Sequence, residues 1–382
     1  MIVAMFTNNF APNTSGVTTS ITRLSRGLKA RGHAVHVFAP WVPHHRDSDI
    51  MVHRVVSLPL PQPWIPLSLP YPPGLSRAVA RVRPDIFHAH HPFLLGRDAL
   101  RLARRRACPI VFTYHAMYEE YVHFVPLLPE APLRSLVRHF ALDFSQRVDA
   151  VIAPSESLAA TLRSRGLVTP LHVVPTGIDP RLFERNEAVR KTTREMWGVG
   201  PQNIVVVSFA RLSREKKFDM LLTAFARLVG AHSQEHLRLV LGGEGPARER
   251  LEKLSRALGL ERHVLFAGPL PHEAVPSFLA GGDLFAYAST SETQGLVTLE
   301  ALAAGLPAVV VDAPGNRDVV QDRVSGLITA VSPEAIATGL STLVEDQTLR
   351  KALADGARKR ALDFSEDVFA KHVEHLYASL LR

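Results

Sequence analysis

The residues of this 382-residue chain whose types and spacing point to chemistry begin with two glutamates eight positions apart. Glu292 and Glu300 lie in Ser291-Glu292-Thr293-Gln294-Gly295-Leu296-Val297-Thr298-Leu299-Glu300-Ala301. A helix is predicted to begin near Gly295, which leaves Glu292 in the polar loop before it and Glu300 in its second turn. If that helix start faces a ligand, the open N–H groups of Leu296, Val297 and Thr298 make an anion site suited to diphosphate. At about 1.5 Å of rise per residue the carboxylates stand roughly 10–12 Å apart, beyond the about 5–9.5 Å of a glycosidase pair. The spacing suits an elongated ligand held by hydroxyls at both ends, with phosphates between.

Histidines form the second group. His115 ends the strand predicted at Ile110–Tyr114, where open α/β sheets place their ligands. His88 and His90 share one face of a strand, but no third acidic or cysteine ligand follows at a metal-binding spacing, so no metal site is expected. Asp47-Ser48-Asp49 spells D-x-D in a polar loop rather than at the end of an apolar strand and reads as a solvated loop. Gly242-Gly243-Glu244-Gly245 resembles part of a dinucleotide fingerprint. The next strand ends in Gly268-Pro269 with no acidic residue for a ribose, so NAD is not expected, and the backbone near Gly243, Gly268 and Leu270 is better suited to a nucleotide.

These residues need a scaffold, and the chain alternates short apolar runs with helical segments. Strands are predicted at Ile2–Phe6, Ala34–Phe38, Ile86–His88, Ile110–Tyr114, Ala150–Ala153 and Leu171–Val174. The series restarts at Ile204–Ala210, Leu237–Leu241, His263–Ala267, Leu284–Ala286, Ala308–Val311 and Gly326–Ile328. Little apolar/polar alternation within them indicates strands covered on both faces, hence two doubly wound parallel sheets. The turn-rich Pro175–Pro180 is the expected linker between a first domain at 1–178 and a second at 179–364. An amphipathic helix over 365–382 has no strand after it and is free to pack back on either domain. Pro59–Pro73, with seven prolines in fifteen residues, is an extended segment, either packed on its own domain or forming a substrate or membrane lip.

Composition narrows the class. With 46% hydrophobic and 21% charged residues the chain is neither disordered nor fibrous, and its single cysteine excludes an internal disulfide or a multi-cysteine metal site. No apolar run approaches the roughly 18 residues of a spanning helix, and the apolar start reads as a strand rather than a signal peptide. The net charge of +8 is asymmetric: residues 1–180 hold 19 Lys+Arg against 11 Asp+Glu, and 181–382 hold 25 of each. The first half is therefore the side suited to an anionic partner, nucleic acid or acidic lipid.

Glu292 and Glu300 match the E-x7-E motif of the retaining glycosyltransferases of family 4. The chain resembles that family along most of its length, at Asn13-Thr14-Ser15-Gly16-Val17, Pro84–His90, Thr113-Tyr114-His115, Pro175–Asp179, Ala210-Arg211-Leu212 through Lys216, and Gly242–Pro246. The resemblance implies a GT-B fold, two Rossmann-like domains facing a central cleft, and a nucleotide-diphosphate sugar as donor. It implies that Glu300 binds the donor ribose, Glu292 the sugar hydroxyls, and Arg211 and Lys216 the diphosphate leaving group. It places Gly16 against phosphate or sugar and His115 at the sugar near the reacting centre. Ser15 stands where many relatives have a first glycine, which leaves the contact of this loop open. No first-half carboxylate matches a double-displacement nucleophile, so the implied mechanism is front-face retention with departing diphosphate taking the acceptor proton. No cofactor and no metal are implied.

The segment Thr113–Pro126, with Glu292-Thr293-Gln294-Gly295-Leu296, further resembles the bacterial 1,2-diacylglycerol 3-glucosyltransferases. This implies a UDP-hexose donor, glucose or galactose, and a diacylglycerol acceptor, with Tyr118, Glu119 and Tyr121 on the acceptor side. Arg101, Arg104 and Arg105 lie on a basic helical segment suited to anionic headgroups, at roughly 1 kcal/mol per nearby cation. The enzyme is then cytoplasmic and peripheral on the inner face of the cell membrane. A soluble acceptor is the alternative. A nucleic-acid-binding protein is a remote one, because aromatic residues are only 7% and the best motif lies in the neutral half.

Overall fold

The computed structural model describes residues 1–13, 15–47, 51–58, 67–124, 129–231 and 236–382, with the backbone alone at 121, 123, 124 and 231. Thr14, Ser48 and Asp49 of the D-x-D spelling, residues 59–66 of the proline-rich segment, and Val125-Pro126 lie outside them. Two compact units result, Met1–Gly177 with Glu366–Arg382, and Ile178–Ser365.

The first unit holds a seven-stranded sheet of β1 (Ile2–Phe6), β2 (Ala34–Pro40), β3 (Met51–Val55), β4 (Ile86–Ala89), β5 (Ile110–Thr113), β6 (Ala150–Ala153) and β7 (Leu171–Val173). All pairings are parallel and the order is β3-β2-β1-β4-β5-β6-β7. The second unit repeats the plan with β8 (Ile204–Phe209), β9 (Leu237–Gly242), β10 (Val264–Gly268), β11 (Leu284–Tyr287), β12 (Ala308–Val311) and β13 (Gly326–Thr329), in the parallel order β10-β9-β8-β11-β12-β13. Both are Rossmann-like. In each, strand order reverses beside the first strand, at β1/β4 and at β8/β11, and such a switch opens a crevice at the strand C-termini.

Burial explains the apolar runs. Along β1, Ala4 and Phe6 face one core with Phe38, Phe87 and Phe112, while Val3 and Met5 face another. In β8, Val206 enters one core and Val205, Val207 and Phe209 the opposite one. With helices on both faces the strands have no solvent side, so alternation disappears from the sequence. Edge strand β3 was not anticipated. It is five residues long, carries His53 and Arg54, and is only partly buried. A two-stranded antiparallel pair, Ser57–Leu58 with Leu67–Ser68, is a second addition.

Helix α1 (Gly16–Ala30) covers one face of the first sheet together with the C-terminal helix, Glu366–Leu380. Phe369, Val373, Leu376 and Tyr377 of that last helix share a core with Ile21, Leu24 and Leu28. Phe364, just before this helix, belongs to the core of the second unit. The two helices approach closely at Gly27, where a Cβ would lie 2.6 Å from Ala370 Cβ. Arg31 and His33 add contacts to Glu374 at 2.6 and 2.7 Å. Gly27→Val should therefore push the helices apart and cost roughly 1–3 kcal/mol. Urea unfolding is expected to show an earlier midpoint, partly restored by Ala370→Gly in the same chain, and an unchanged midpoint would refute the close approach.

Candidate functional site

In the second unit the loops leaving β8 and β11 meet at the switch point. Lys216 sits on a 3-10 turn, Arg214–Lys216, and its Nζ donates to Glu292 Oε1 at 2.6 Å. The same oxygen accepts from the hydroxyls of Tyr287 and Ser289, both at 2.8 Å. The Glu292 and Lys216 side chains are only 15% and 14% exposed. Burial pushes the Glu292 carboxyl up, but Lys216 and the two hydroxyls outweigh it and hold the group below its ordinary value, as a carboxylate. Tyr287 moves the opposite way: burial and the Glu292 charge push its hydroxyl well up, so it stays a neutral donor.

After this loop comes helix α2 (Leu296–Ala303), preceded by Gly295 in the left-handed region at φ 78°. Among the described residues no side chain caps its first turn, and no acidic residue lies in that turn, so the N–H groups of Leu296, Val297 and Thr298 begin a helix whose positive end carries no built-in anion. Thr298 is fully buried and its hydroxyl reaches Asn316 Oδ1 at 3.5 Å. Glu300, one turn on, is 4% exposed. Arg211 follows β8 and is exposed. Gly243, at the end of β9, has φ 126°, and a Cβ there would lie 2.0 Å from the Ala210 carbonyl oxygen, so only glycine fits. Its N–H donates to the carbonyl of Gly268 at 2.7 Å, and Leu270 packs beside Gly242. Gly243, Gly268 and Leu270 therefore lie together, as do Lys216 and Glu292.

Three residues behind Glu292 escaped the sequence reading. A Cβ on Gly315 would fall 2.6 Å from Glu292 Cβ. Asn316, fully buried, donates from Nδ2 to the carbonyl of Ser289 at 3.0 Å, and Asp318 accepts the Gly315 N–H at 2.9 Å. Their available signal was position: Pro314-Gly315-Asn316 follows the C-terminal end of β12.

In the first unit Gly16 is the exposed first residue of α1. Ser15, the departure from the two-glycine pattern, caps this helix by accepting the Thr18 N–H at 3.2 Å, and Asn9 Nδ2 donates to it at 3.0 Å. His115 follows β5, with its Nε2 2.9 Å from His90 Nδ1. His91, beside them, accepts the Asn8 N–H on Nδ1 at 3.1 Å. Burial drives the whole group neutral: His88 down to about 3, His91 to about 4, and His90 and His115 well below the usual range, with the neighbouring rings adding to the last two. Among the described residues no group of three or more His, Cys, Asp or Glu is placed to hold a metal ion.

Residues assigned to the acceptor side fall in two places. Tyr118, Glu119 and Tyr121 lie on a 3-10 segment, Tyr118–Phe124. Glu119 is 6% exposed and faces the Arg165 guanidinium at 2.6 Å, and Tyr118 packs edge-on against Phe93. The Tyr121 side chain lies outside the described atoms. Arg101, Arg104 and Arg105 are exposed on the helix Leu95–Arg106. They line a cavity of about 730 Å³ with Arg97, Tyr71, Phe93 and Phe140, and Arg101 lies over the Tyr71 ring at 3.6 Å. Among the described residues no helix is long and apolar enough to cross a membrane.

Comparison with known proteins completes the picture. Residues 189–360 match the family described as "Glycosyl transferases group 1" and residues 14–182 match "Glycosyltransferase Family 4". An alpha-monoglucosyldiacylglycerol synthase of Streptococcus pneumoniae is 30% identical over 99% of this chain and 85% of its own. A GDP-mannose-dependent alpha-mannosyltransferase of Mycobacterium tuberculosis is 30% identical over 88% of this chain and 87% of its own. Among solved structures, Anabaena HepE in complex with UDP superposes with a TM-score of 0.79 at 22% identity, over 99% of this chain and all of that one.

Glu292 contributes stability through its lowered carboxyl, so that contribution is present above the ordinary carboxylate range and is lost as pH falls through the folded value. Lys216→Met leaves the carboxylate without its cation. The variant is expected to lose roughly 1–3 kcal/mol at neutral pH, with the loss shrinking in acid as the carboxyl protonates. Urea unfolding at neutral and at acid pH measures this, and an equal loss at the two would rule out the charge as its cause.

Proposed function

The chain belongs to glycosyltransferase family 4, and from that membership we propose that it is a retaining hexosyltransferase moving glucose or galactose from a UDP-sugar to diacylglycerol at an anionic membrane surface. What carries this reading is the end-to-end likeness to the Streptococcus pneumoniae synthase, over 99% of this chain, together with the arrangement around Glu292. The mannosyltransferase likeness is nearly as long, so the donor is the part of the proposal that a direct assay must decide.

The second unit takes the nucleotide sugar. Gly243 lets the backbone approach the nucleotide, with Gly268 and Leu270 beside it, and Glu300 serves the ribose. The helix start at Gly295 through Thr298, with Arg211 and Lys216, stabilises the charge that grows on the diphosphate as the glycosidic bond breaks. Glu292, kept ionised by Lys216, accepts hydrogen bonds from sugar hydroxyls. Gly16 and His115 serve the sugar end, and the acceptor hydroxyl attacks from the face that the diphosphate leaves, passing its proton to the departing phosphate oxygen. Neither a metal nor a cofactor takes part in this scheme.

The acceptor half rests on charge. Arg101, Arg104 and Arg105 are exposed and stand beside exposed aromatic side chains, Tyr71 and Phe140, a combination suited to the headgroup boundary of a bilayer. Tyr118, Glu119 and Tyr121 follow His115 in the chain and belong to the acceptor side.

Incubation of the protein with diacylglycerol vesicles and a panel including UDP-glucose, UDP-galactose and GDP-mannose, read by mass spectrometry, is expected to give a monohexosyl diacylglycerol from a UDP-sugar. Product only from GDP-mannose, or only on a soluble acceptor, would refute the corresponding half. Arg211→Ala and Lys216→Ala are each expected to lower kcat about 100-fold. Replacing Arg101, Arg104 and Arg105 together by Gln should abolish flotation with anionic liposomes while leaving hydrolysis of the nucleotide sugar intact. Flotation equal to that of the unaltered protein would remove these residues from the membrane contact.

A further inference from the structure

His90 is 1% exposed and has no part in the scheme above, yet it touches the residue assigned to the sugar. Its Nδ1 lies 2.9 Å from His115 Nε2, and the two rings stack with centroids 5.1 Å apart and 24° between their planes. On its other side stands the ring of His88, at 4.1 Å. His88 is itself fixed at both nitrogens, by the Tyr377 hydroxyl at 2.6 Å and by Thr113 Oγ1 at 2.7 Å. His90 Nε2 is buried and has no hydrogen-bond partner among the described residues.

Counting protons decides which nitrogen is which. Burial keeps both His90 and His115 neutral, so each ring carries one N–H and the bond between them uses one of the two. Were His115 Nε2 the donor, His90 would accept on Nδ1 and its own proton would sit on Nε2, as a buried N–H without an acceptor. Orphaned buried N–H groups are rarer in folded proteins than under-satisfied acceptors. The opposite arrangement buries only a lone pair: His90 donates from Nδ1 to His115 Nε2, and His115 carries its proton on Nδ1.

We propose that His90 is a positioning residue that holds His115 in the Nδ1–H tautomer and fixes its ring plane, so that His115 offers the sugar a hydrogen-bond donor and not a base. The inference rests on the reading of His115 as a sugar contact. It also deepens that reading, since a His115 whose Nε2 lone pair is occupied by His90 leaves the acceptor proton to the departing diphosphate. His88, pinned by Tyr377 of the C-terminal helix, is the floor on which the His90 ring lies.

Long-range 1H–15N spectra of the full-length 15N-labelled protein read the tautomer directly and need no turnover. His90→Asn and His115→Gln assign the signals. The expected result is a protonated Nδ1 and an unprotonated Nε2 on His115, and a protonated Nε2 would overturn the proposal. His90→Leu, which keeps bulk but cannot donate, is expected to lower kcat roughly 10- to 100-fold with little change in KM for the donor. Asn, whose amide N–H replaces Nδ1–H, should recover most of the rate. A folded Leu variant with the kcat of the unaltered protein, or Asn no better than Leu, would also overturn it. If the unaltered protein turns over no nucleotide sugar, the transferase reading fails and the tautomer spectrum alone decides the His90–His115 bond.

Discussion

A parallel sheet covered on both faces has no solvent side, and that constraint governs where chemistry can stand in this protein. Strand interiors are given over mainly to Val, Ile, Leu and Phe in both units, so most polar groups with a role stand at or beyond the strand ends, with His88 inside β4 the exception. Because crossovers bring each strand in from the same direction, those ends collect on one edge, and the reversal of order at β1/β4 and β8/β11 parts the loops there. Asn8, His90 and His91 leave the first sheet at such a point, and Arg211, Ser289 and Glu292 leave the second.

The two units then treat their polar groups in opposite ways. Around Glu292 a cation and two hydroxyls overcome the burial cost of a carboxylate and keep it charged. Around His115 the rings meet hydroxyls, a backbone N–H and one another, and burial wins, so four histidines remain neutral. One site is built to hold charge and the other to hold a fixed pattern of donors and acceptors. That contrast follows from partner chemistry alone, since both groups are deeply buried.

Much of this was legible in the amino-acid order. All twelve predicted strands are present within a residue or two at their ends, because doubly covered strands write themselves as apolar runs. Strand β3 was hidden because an edge strand carries His53 and Arg54 and gains its place from pairing with β2 rather than from burial. The helix start at Leu296 and the special backbone at Gly243 could be read from local rules. What could not be read were contacts that join distant segments. Nothing near Glu292 in the chain announces that Lys216, 76 residues earlier, will neutralise it, or that Gly315 must lack a side chain to leave it room. Tyr377 meets His88 across 289 residues, and only the packed helix makes that meeting visible.

That C-terminal helix makes the second unit an insertion within the first. Residues 178–365 form one continuous body, while the first body is closed by residues 366–382. During synthesis the inserted body can therefore finish its core before the enclosing one does. At the ribosomal pace of about 5–20 residues per second, the face of the first sheet that awaits Phe369, Val373 and Tyr377 stays uncovered for about 10–40 s after Gly177 is added. An apolar surface left open that long is what chaperones recognise, so the helix that floors the histidine cluster also sets the order in which this chain becomes a protein.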